Sequence, residues 1–313
     1  MTKFAFVFPG QGAQAVGMLN GFAGNPVVEQ TVQEASDAIG FDLGKLMAEG
    51  PKEELDLTTN TQPVMLTAAV AVYRAWIAAG GQQPDLVAGH SLGEYSALVA
   101  AGVIPFKDAV PLVRFRAQAM QEAVPVGQGG MAVVLGISAD EVRAVCAEAS
   151  AAEPGSVVEA VNFNEPTQTV IAGHTAAVDR ACEIAKAKGA KRAMKLAVSA
   201  PFHSSLLKPA SDRLRDYMAN IEFAAPRIAL INNVDVAILN DPAAIKDALV
   251  RQAAGSVRWV ETVQKMAGEG ITQVIECGPS KVLSGMAKRI DGNLATEALV
   301  DQAALERVLA AMA

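Results

Sequence analysis

Short apolar runs and stretches of helical period alternate along most of the chain, the order expected of helices packed on a largely parallel sheet. Residues 3–8 form an opening apolar run that reads as a strand, and residues 9–14, Pro-Gly-Gln-Gly-Ala-Gln, form the loop at its carboxyl end. Helical period follows over residues 26–47. Residues 64–79 are apolar on nearly every face, which predicts a buried helix with Asn60, Thr61, Gln62 and Pro63 as its cap. A short strand over 85–88 runs into Gly89-His90-Ser91-Leu92-Gly93, and residues 92–101 read as the next helix. Pro105 opens another helix that extends to residue 122, with proline at a tolerated early position.

The clearest break in composition is 125–130, Pro-Val-Gly-Gln-Gly-Gly. Beyond it come a strand over 131–135, a helix over 139–149, strands over 157–161 and 167–172, a helix over 176–187 and a strand over 190–196. That β-α-β-β-α-β order predicts a ferredoxin-like small subdomain over 126–197, inserted between two segments, 1–125 and 198–313, of a larger α/β subdomain. In the returning segment the pattern predicts a helix to residue 218, a strand over 228–232 and a helix over 242–253. A last core strand over 272–276 and a helix ending near 289 follow. The expected fold class is α/β: an α/β-hydrolase-like core with a parallel sheet, plus the inserted ferredoxin-like subdomain.

The chemistry centres on Ser91, two residues after Gly89 and two before Gly93, between a predicted strand and a predicted helix. This is the spacing of a nucleophile elbow. A strained turn lifts the serine Oγ clear, the glycines let the neighbouring backbone pass, and the next N–H, that of Leu92, is left to stabilise an oxyanion. Loops at the carboxyl ends of parallel strands gather at one edge, so Gln11 is expected beside Ser91. The Gly-x-Gly at 10–12 lacks the Gly-Lys-Ser/Thr of a phosphate-binding loop.

Arg116 shares a helical face with Ala109, Leu112, Val113 and Met120, so a guanidinium interrupts an apolar stripe while Arg114 and Gln118 point elsewhere. Its anion is either a structural carboxylate or a carboxylate carried by the substrate. Of the three histidines, His90 lies inside the elbow and His174 at a helix start; His203, where the insertion rejoins, is the one placed to serve as a base. Gln252 lies in the last turn of the 242–253 helix, where a free backbone carbonyl is able to accept an imidazole N–H.

Composition narrows the classes. The 313 residues are 51% hydrophobic with only 5% aromatic, which suits a soluble α/β protein with a substantial core. No apolar run reaches bilayer length and the amino terminus lacks a signal-peptide pattern, so no membrane association and a cytoplasmic location are expected. The net charge of −7 disfavours nucleic acid. Lys186, Lys188, Lys191, Arg192 and Lys195 read either as a local basic patch or as a solvated helix end and strand. Cys146, Cys182 and Cys277 are odd in number and far apart, which predicts buried thiols and no metal site.

Motifs at 8–14, 61–63, 89–94, Arg116 with 120–125, 161–164, 200–204 and 278–283 occur in the order found in malonyl-CoA:acyl carrier protein transacylases, which the chain resembles over essentially its whole length. The resemblance implies transfer of malonyl from malonyl-CoA to the pantetheine thiol of acyl carrier protein through a malonyl-serine, in ping-pong fashion, for fatty acid synthesis. It implies Ser91 as nucleophile, His203 as base, the N–H groups of Leu92 and Gln11 as oxyanion hole, and Arg116 on the malonyl carboxylate. It further implies that the Gln252 carbonyl orients His203, and that His90, Asn162 and Gln62 lie at the substrate. Phe202 is similar to the malonyl-type pattern, and Ser280, where relatives often have glycine, departs from it. A coenzyme A thioester is then the substrate, no cofactor is bound, and the chain is expected to be a monomer. An acidic acyl carrier protein would meet basic groups such as Lys281, Lys288 and Arg289. Two other classes compete: a serine thioesterase or esterase of α/β-hydrolase type, with Asp108, Asp140 or Asp179 as its acid, and a carrier-protein binding module with a dead elbow.

Overall fold

The computed structural model describes residues 3–198 and 200–312. Among these, nine strands form: β1 (Phe4–Phe8), β2 (Leu86–Gly89), β3 (Gly129–Leu135), β4 (Val158–Glu165), β5 (Gln168–His174), β6 (Arg192–Lys195), β7 (Ala229–Ile231), β8 (Gln273–Glu276) and β9 (Ala295–Ala298). Five make a parallel sheet in the order β7-β2-β1-β8-β9, and four make a separate antiparallel sheet in the order β4-β5-β3-β6. The chain is thus a mixed α/β protein. No described helix is long and apolar enough to cross a membrane.

Strand β1 is buried on both faces, which is why it reads as an unbroken apolar run. Its alternation feeds two cores. Phe4, Phe6 and Phe8 pack toward the helix Thr58–Ala78, where Phe6 meets Trp76 edge to face at 5.4 Å between centroids, whereas Ala5 and Val7 face Ala88, Trp259 and Val274. Register aligns Phe8 with Gly89 and Val7 with Glu276, so β1, β2 and β8 end nearly level. The loops that begin at Pro9, His90 and Cys277 therefore leave the sheet at one edge.

The antiparallel sheet carries helices Ala139–Ala151 and Thr175–Ala187 against a core of Val134, Val142, Val145, Ile171 and Val178. Its other residues, Met131, Val170 and Ala172, bury the seam with Met120, Phe202 and Leu207. The backbone stitches the same seam: Val257 donates to the Val161 carbonyl at 2.8 Å, and Phe163 donates to the Val257 carbonyl at 3.0 Å. A register shift in β4 between Ala160 and Asn162 lies at this junction.

Several sequence expectations need correction. The helix expected from 64 begins at Thr58 and carries Pro63 inside it; Thr61, Gln62 and Pro63 are buried, and packing outweighs one missing early backbone bond. The period over 26–47 is two helices, Pro26–Ile39 and Leu43–Glu49, the second capped by Asp42. β8 is not the last strand of the sheet. β9 follows it as an edge strand, Ala-Thr-Glu-Ala, whose partial exposure left no apolar run to read. Helices Lys52–Leu55, Trp259–Gly268 and Gln302–Met312 lie outside the predicted elements.

The approach of helix Gly93–Ala100 to β1 gives a direct stability test. A Cβ on Gly93 would lie 1.9 Å from the Phe8 carbonyl oxygen, whereas one on exposed, helical Gly268 meets nothing within 4 Å. Gly93→Ala should cost more than about 3 kcal/mol in urea unfolding. Gly268→Ala should instead stabilise by up to about 1 kcal/mol. Equal effects would contradict this packing.

Candidate active site

Between β2 and the helix Gly93–Ala100 the chain turns through Ser91, whose φ of 51° is a left-handed conformation that a serine seldom adopts. The turn closes because Gly89 and Gly93 touch: a Cβ on Gly89 would lie 1.9 Å from the Gly93 carbonyl carbon. Buried Asn233 clamps it from beside. Its Oδ1 accepts the Ser91 N–H at 2.7 Å and its Nδ2 donates to the Gly89 carbonyl at 2.6 Å. Strain at Ser91 is thus held by two side-chain bonds.

The loop after β1 lies against this turn, for a Cβ on Gly10 would stand 2.5 Å from the His90 carbonyl oxygen and 3.7 Å from the Leu92 nitrogen. Gln11, the next residue, donates its side-chain amide to Thr58 Oγ1 at 3.1 Å. Among the described residues, neither the Gln11 N–H nor the Leu92 N–H has a hydrogen-bond partner.

His203 Nε2 is 2.7 Å from Ser91 Oγ. The opposite nitrogen, Nδ1, lies 2.8 Å from the Gln252 carbonyl and 3.1 Å from the Gly255 carbonyl. Both partners only accept, so Nδ1 carries the proton and Nε2 faces the serine as an acceptor. Gln252 sits in the last turn of helix Pro242–Ala253, beyond the i+4 ladder, and its carbonyl also accepts the Gly255 N–H at 3.3 Å. Burial first, and then the charge of Arg116, pushes the His203 imidazole down from 6.5 to about 3.

Arg116 is buried on the stripe its spacing predicted. Its Nη1 donates to Gln62 Oε1 at 2.8 Å; its Nη2 donates to Gln252 Oε1 at 2.9 Å and reaches Ser91 Oγ at 3.2 Å. Its Nε has no partner among the described residues, and no described carboxylate forms an ion pair with it. A full positive charge therefore stands beside Ser91 Oγ, held by two neutral amide oxygens.

Two residues of the site escaped sequence reading. Asn233 is one, and Glu94 is the other. Glu94 is buried in the elbow helix and accepts from the Gln252 side chain at 2.9 Å and from the Asn233 N–H at 3.0 Å. Burial pushes its carboxyl up to about 7 against those hydrogen bonds and the attraction of Arg116. An acid inside an otherwise apolar helix was the available signal.

Of the nine predicted site residues, Gln11, Gln62, His90, Ser91, Leu92, Arg116, Asn162 and His203 line one cavity of about 380 Å³, and Gln252 lies buried behind it. Met120, Met131 and Phe202 supply apolar wall. His90 bonds Asn164 Oδ1 at 2.7 Å and meets Trp259 edge-on, while Asn162 keeps a buried Oδ1 without a partner among the described residues. A larger cavity of about 960 Å³, lined by Tyr73, Arg74, Phe106 and Arg227, holds no paired nucleophile and base. Asp140 and Asp179 pair with Arg143 and Lys195, and among the described residues the partners of His203 Nδ1 are carbonyls, so neither these acids nor Asp108 stands behind it as in an esterase triad. No described cluster of His, Cys, Asp or Glu is arranged for a metal.

The acyl transferase domain family model matches residues 5–302. The chain belongs to the acyl transferase family. Within it, this transferase is 53% identical over 310 residues to the malonyl CoA-acyl carrier protein transacylase of Salmonella typhimurium, covering 99% of both. It superposes on the crystal structure of an acyl-carrier-protein S-malonyltransferase from Burkholderia pseudomallei with a TM-score of 0.97 and 69% identity, covering 99% of this chain and 100% of that one. It matches as well, at a TM-score of 0.97 and 50% identity, a malonyl-transacylase in complex with its type II PKS acyl-carrier protein, covering 99% and 100% of the two chains.

The buried acid and base of this transferase oppose each other in pH dependence. His203 is depressed from 6.5, so the unfolded chain takes up that proton first, and the stability tied to it is lost as pH falls from about 6.5 toward 3. Glu94 is raised from 4.5 to about 7, so its stabilising share is present in acid and lost as pH rises through that window. Glu94→Gln removes the second term alone. Its unfolding free energy should fall more steeply than the parent's between pH 7 and pH 5 in denaturant titrations, and parallel curves would contradict these shifts.

Proposed function

We propose that this acyltransferase carries malonyl from malonyl-CoA to the pantetheine thiol of acyl carrier protein through an ester on Ser91. The observation that carries the reading is Arg116, a buried cation in hydrogen-bond reach of Ser91 Oγ with no ion-paired carboxylate among the described residues. The free carboxylate of malonate is the anion it lacks, and a planar fork receives a carboxylate by two parallel bonds. Acetyl-CoA would leave the guanidinium unpaired, which disfavours it strongly.

Ser91 passes its proton to His203 Nε2 as Oγ attacks the thioester carbon. The oxyanion is received by the N–H groups of Leu92 and Gln11. The C–S bond then breaks, and the imidazolium returns its proton to the departing coenzyme A sulfur. The pantetheine thiol runs the same steps in reverse, so coenzyme A enters only as part of the substrate. His203 must become a cation close to Arg116, and a malonyl carboxylate on Arg116 removes that repulsion. The correct substrate thereby makes its own base stronger.

His90, Asn162 and Gln62 shape the acyl pocket in this reading. The antiparallel sheet over 126–197 is taken as a ferredoxin-like insertion in an α/β-hydrolase-like core formed by 1–125 and 198–313, a division supported by the two helices on one face of that sheet. For the acidic carrier, Lys288 and Arg289 are partly engaged by backbone carbonyls and Glu165, whereas exposed Lys281 has no ion pair among the described residues and is the favoured contact.

Intact-protein mass spectrometry tests the reading. Malonyl-CoA should add one malonyl group, lost in Ser91→Ala and cleared by holo acyl carrier protein. Arg116→Ala should slow malonyl uptake about 100-fold or more while changing acetyl uptake little. Steady release of free malonate would indicate a thioesterase, and no adduct with any thioester would leave the binding module.

A further inference from the structure

Glu94 is a buried acid with no ion pair among the described residues, in a helix otherwise built of apolar and small side chains. A group so costly to bury needs a reason. One of its oxygens, Oε2, accepts two hydrogen bonds, from Gln252 Nε2 at 2.9 Å and from the Asn233 backbone N–H at 3.0 Å. Each donor leads directly to the reacting serine. The Asn233 side chain holds the Ser91 N–H and the Gly89 carbonyl, and Gln252 Nε2 also donates to the Ser91 carbonyl at 2.9 Å.

We propose that Glu94 is a positioning residue for acyl transfer: it holds the Gln252 amide with its oxygen turned to Arg116, and so aims the guanidinium at the acyl pocket. This rests on the reading of Arg116 as the holder of the substrate carboxylate. An amide fits its site two ways round, and here the surroundings choose one. Both N–H groups of Gln252 face acceptors, the Glu94 carboxylate and the Ser91 carbonyl, which leaves Oε1 for the Arg116 Nη2 at 2.9 Å. Turned over, Gln252 would set oxygen against oxygen on one side and N–H against guanidinium on the other.

The interposed amide also explains why the acid is one residue removed. A direct Glu94–Arg116 ion pair would satisfy the guanidinium and compete with any incoming carboxylate. Through Gln252 the cation is fixed in place and its charge is left for the ligand.

Two near-isosteric variants separate the parts. In Glu94→Gln a single amide oxygen accepts both N–H groups, so the bonds survive without the charge. In Glu94→Asp the charge survives, but the shorter side chain cannot reach both donors. The readout is kcat/KM for Ser91 acylation by malonyl-CoA and by acetyl-CoA, with thermal unfolding alongside. E94D is expected to lose about 10–100-fold with malonyl-CoA, chiefly in KM, and to lower the malonyl-to-acetyl preference at least about tenfold. E94Q should keep that preference within about fivefold of the parent. If E94D slows both thioesters equally, or E94Q loses as much preference as E94D, the proposal is overturned. E94Q alone decides against it by a collapsed preference even where E94D does not fold. Arg116→Ala run beside them separates the two ideas: preference lost there but intact in E94D sinks only the role of Glu94, whereas preference intact in Arg116→Ala sinks the reading of Arg116 as well.

Discussion

A guanidinium buried without a carboxylate is the constraint around which this site is built. Desolvating such a cation costs several kcal/mol, and a neighbouring acid would ordinarily offset it. Arg116 instead has two glutamine oxygens and the face of Tyr95, 5.3 Å from its carbon. These contacts hold the fork without cancelling its charge. The protein thus keeps an unsatisfied electrostatic demand beside Ser91, which under the proposed transfer a carboxylate of the ligand would meet.

Holding that demand in place requires the parallel sheet. Helix Phe106–Glu122 brings Arg116, helix Thr58–Ala78 brings Gln62, helix Pro242–Ala253 brings Gln252, and the turn after β2 brings Ser91. Each comes from a rigid element or its end, so hydrogen-bond distances are set by packing and not by a mobile loop. Residues 129–135 and 158–165 close the pocket from above through Met131 and Asn162, and the Val257 backbone bonds tie the two sheets together at that point.

Much of this arrangement was legible locally. The elbow announces itself by glycine spacing between an apolar strand and a helix, Arg116 by a charge on an apolar stripe, and His203 by its place where the chain returns. The first two signals lie within a dozen residues, and the third depends on where the 126–197 insertion ends. Glu94 stands out locally as an acid on the elbow helix, but its role, like those of Asn233 and the Gln252 side chain, was not legible, because it lies in bonds between positions 139 and 158 apart in the chain. The Gln252 carbonyl was inferred from its helix end, yet its side chain, which meets Glu94, Arg116 and Ser91, has no sequence signature. β9 was missed for a different reason: an edge strand half open to solvent carries too little apolar pattern to distinguish it from a loop.

The same electrostatics fit the fact that, among the described residues, carbonyls rather than a carboxylate stand behind His203. An acid in place of the Gln252 and Gly255 carbonyls would raise the imidazole's affinity for protons and ease imidazolium formation. It would also put a negative charge a few ångströms from Arg116. The guanidinium would then be partly satisfied before substrate arrived, and discrimination between a malonyl and an acetyl thioester would shrink. A thioester expels a good leaving group, so a weaker base suffices for it, whereas selection by charge has no substitute. In the proposed transfer, two carbonyl dipoles fix the tautomer and would steady the transient imidazolium while adding no net charge, and that compromise would follow from requiring one arginine to remain unpaired.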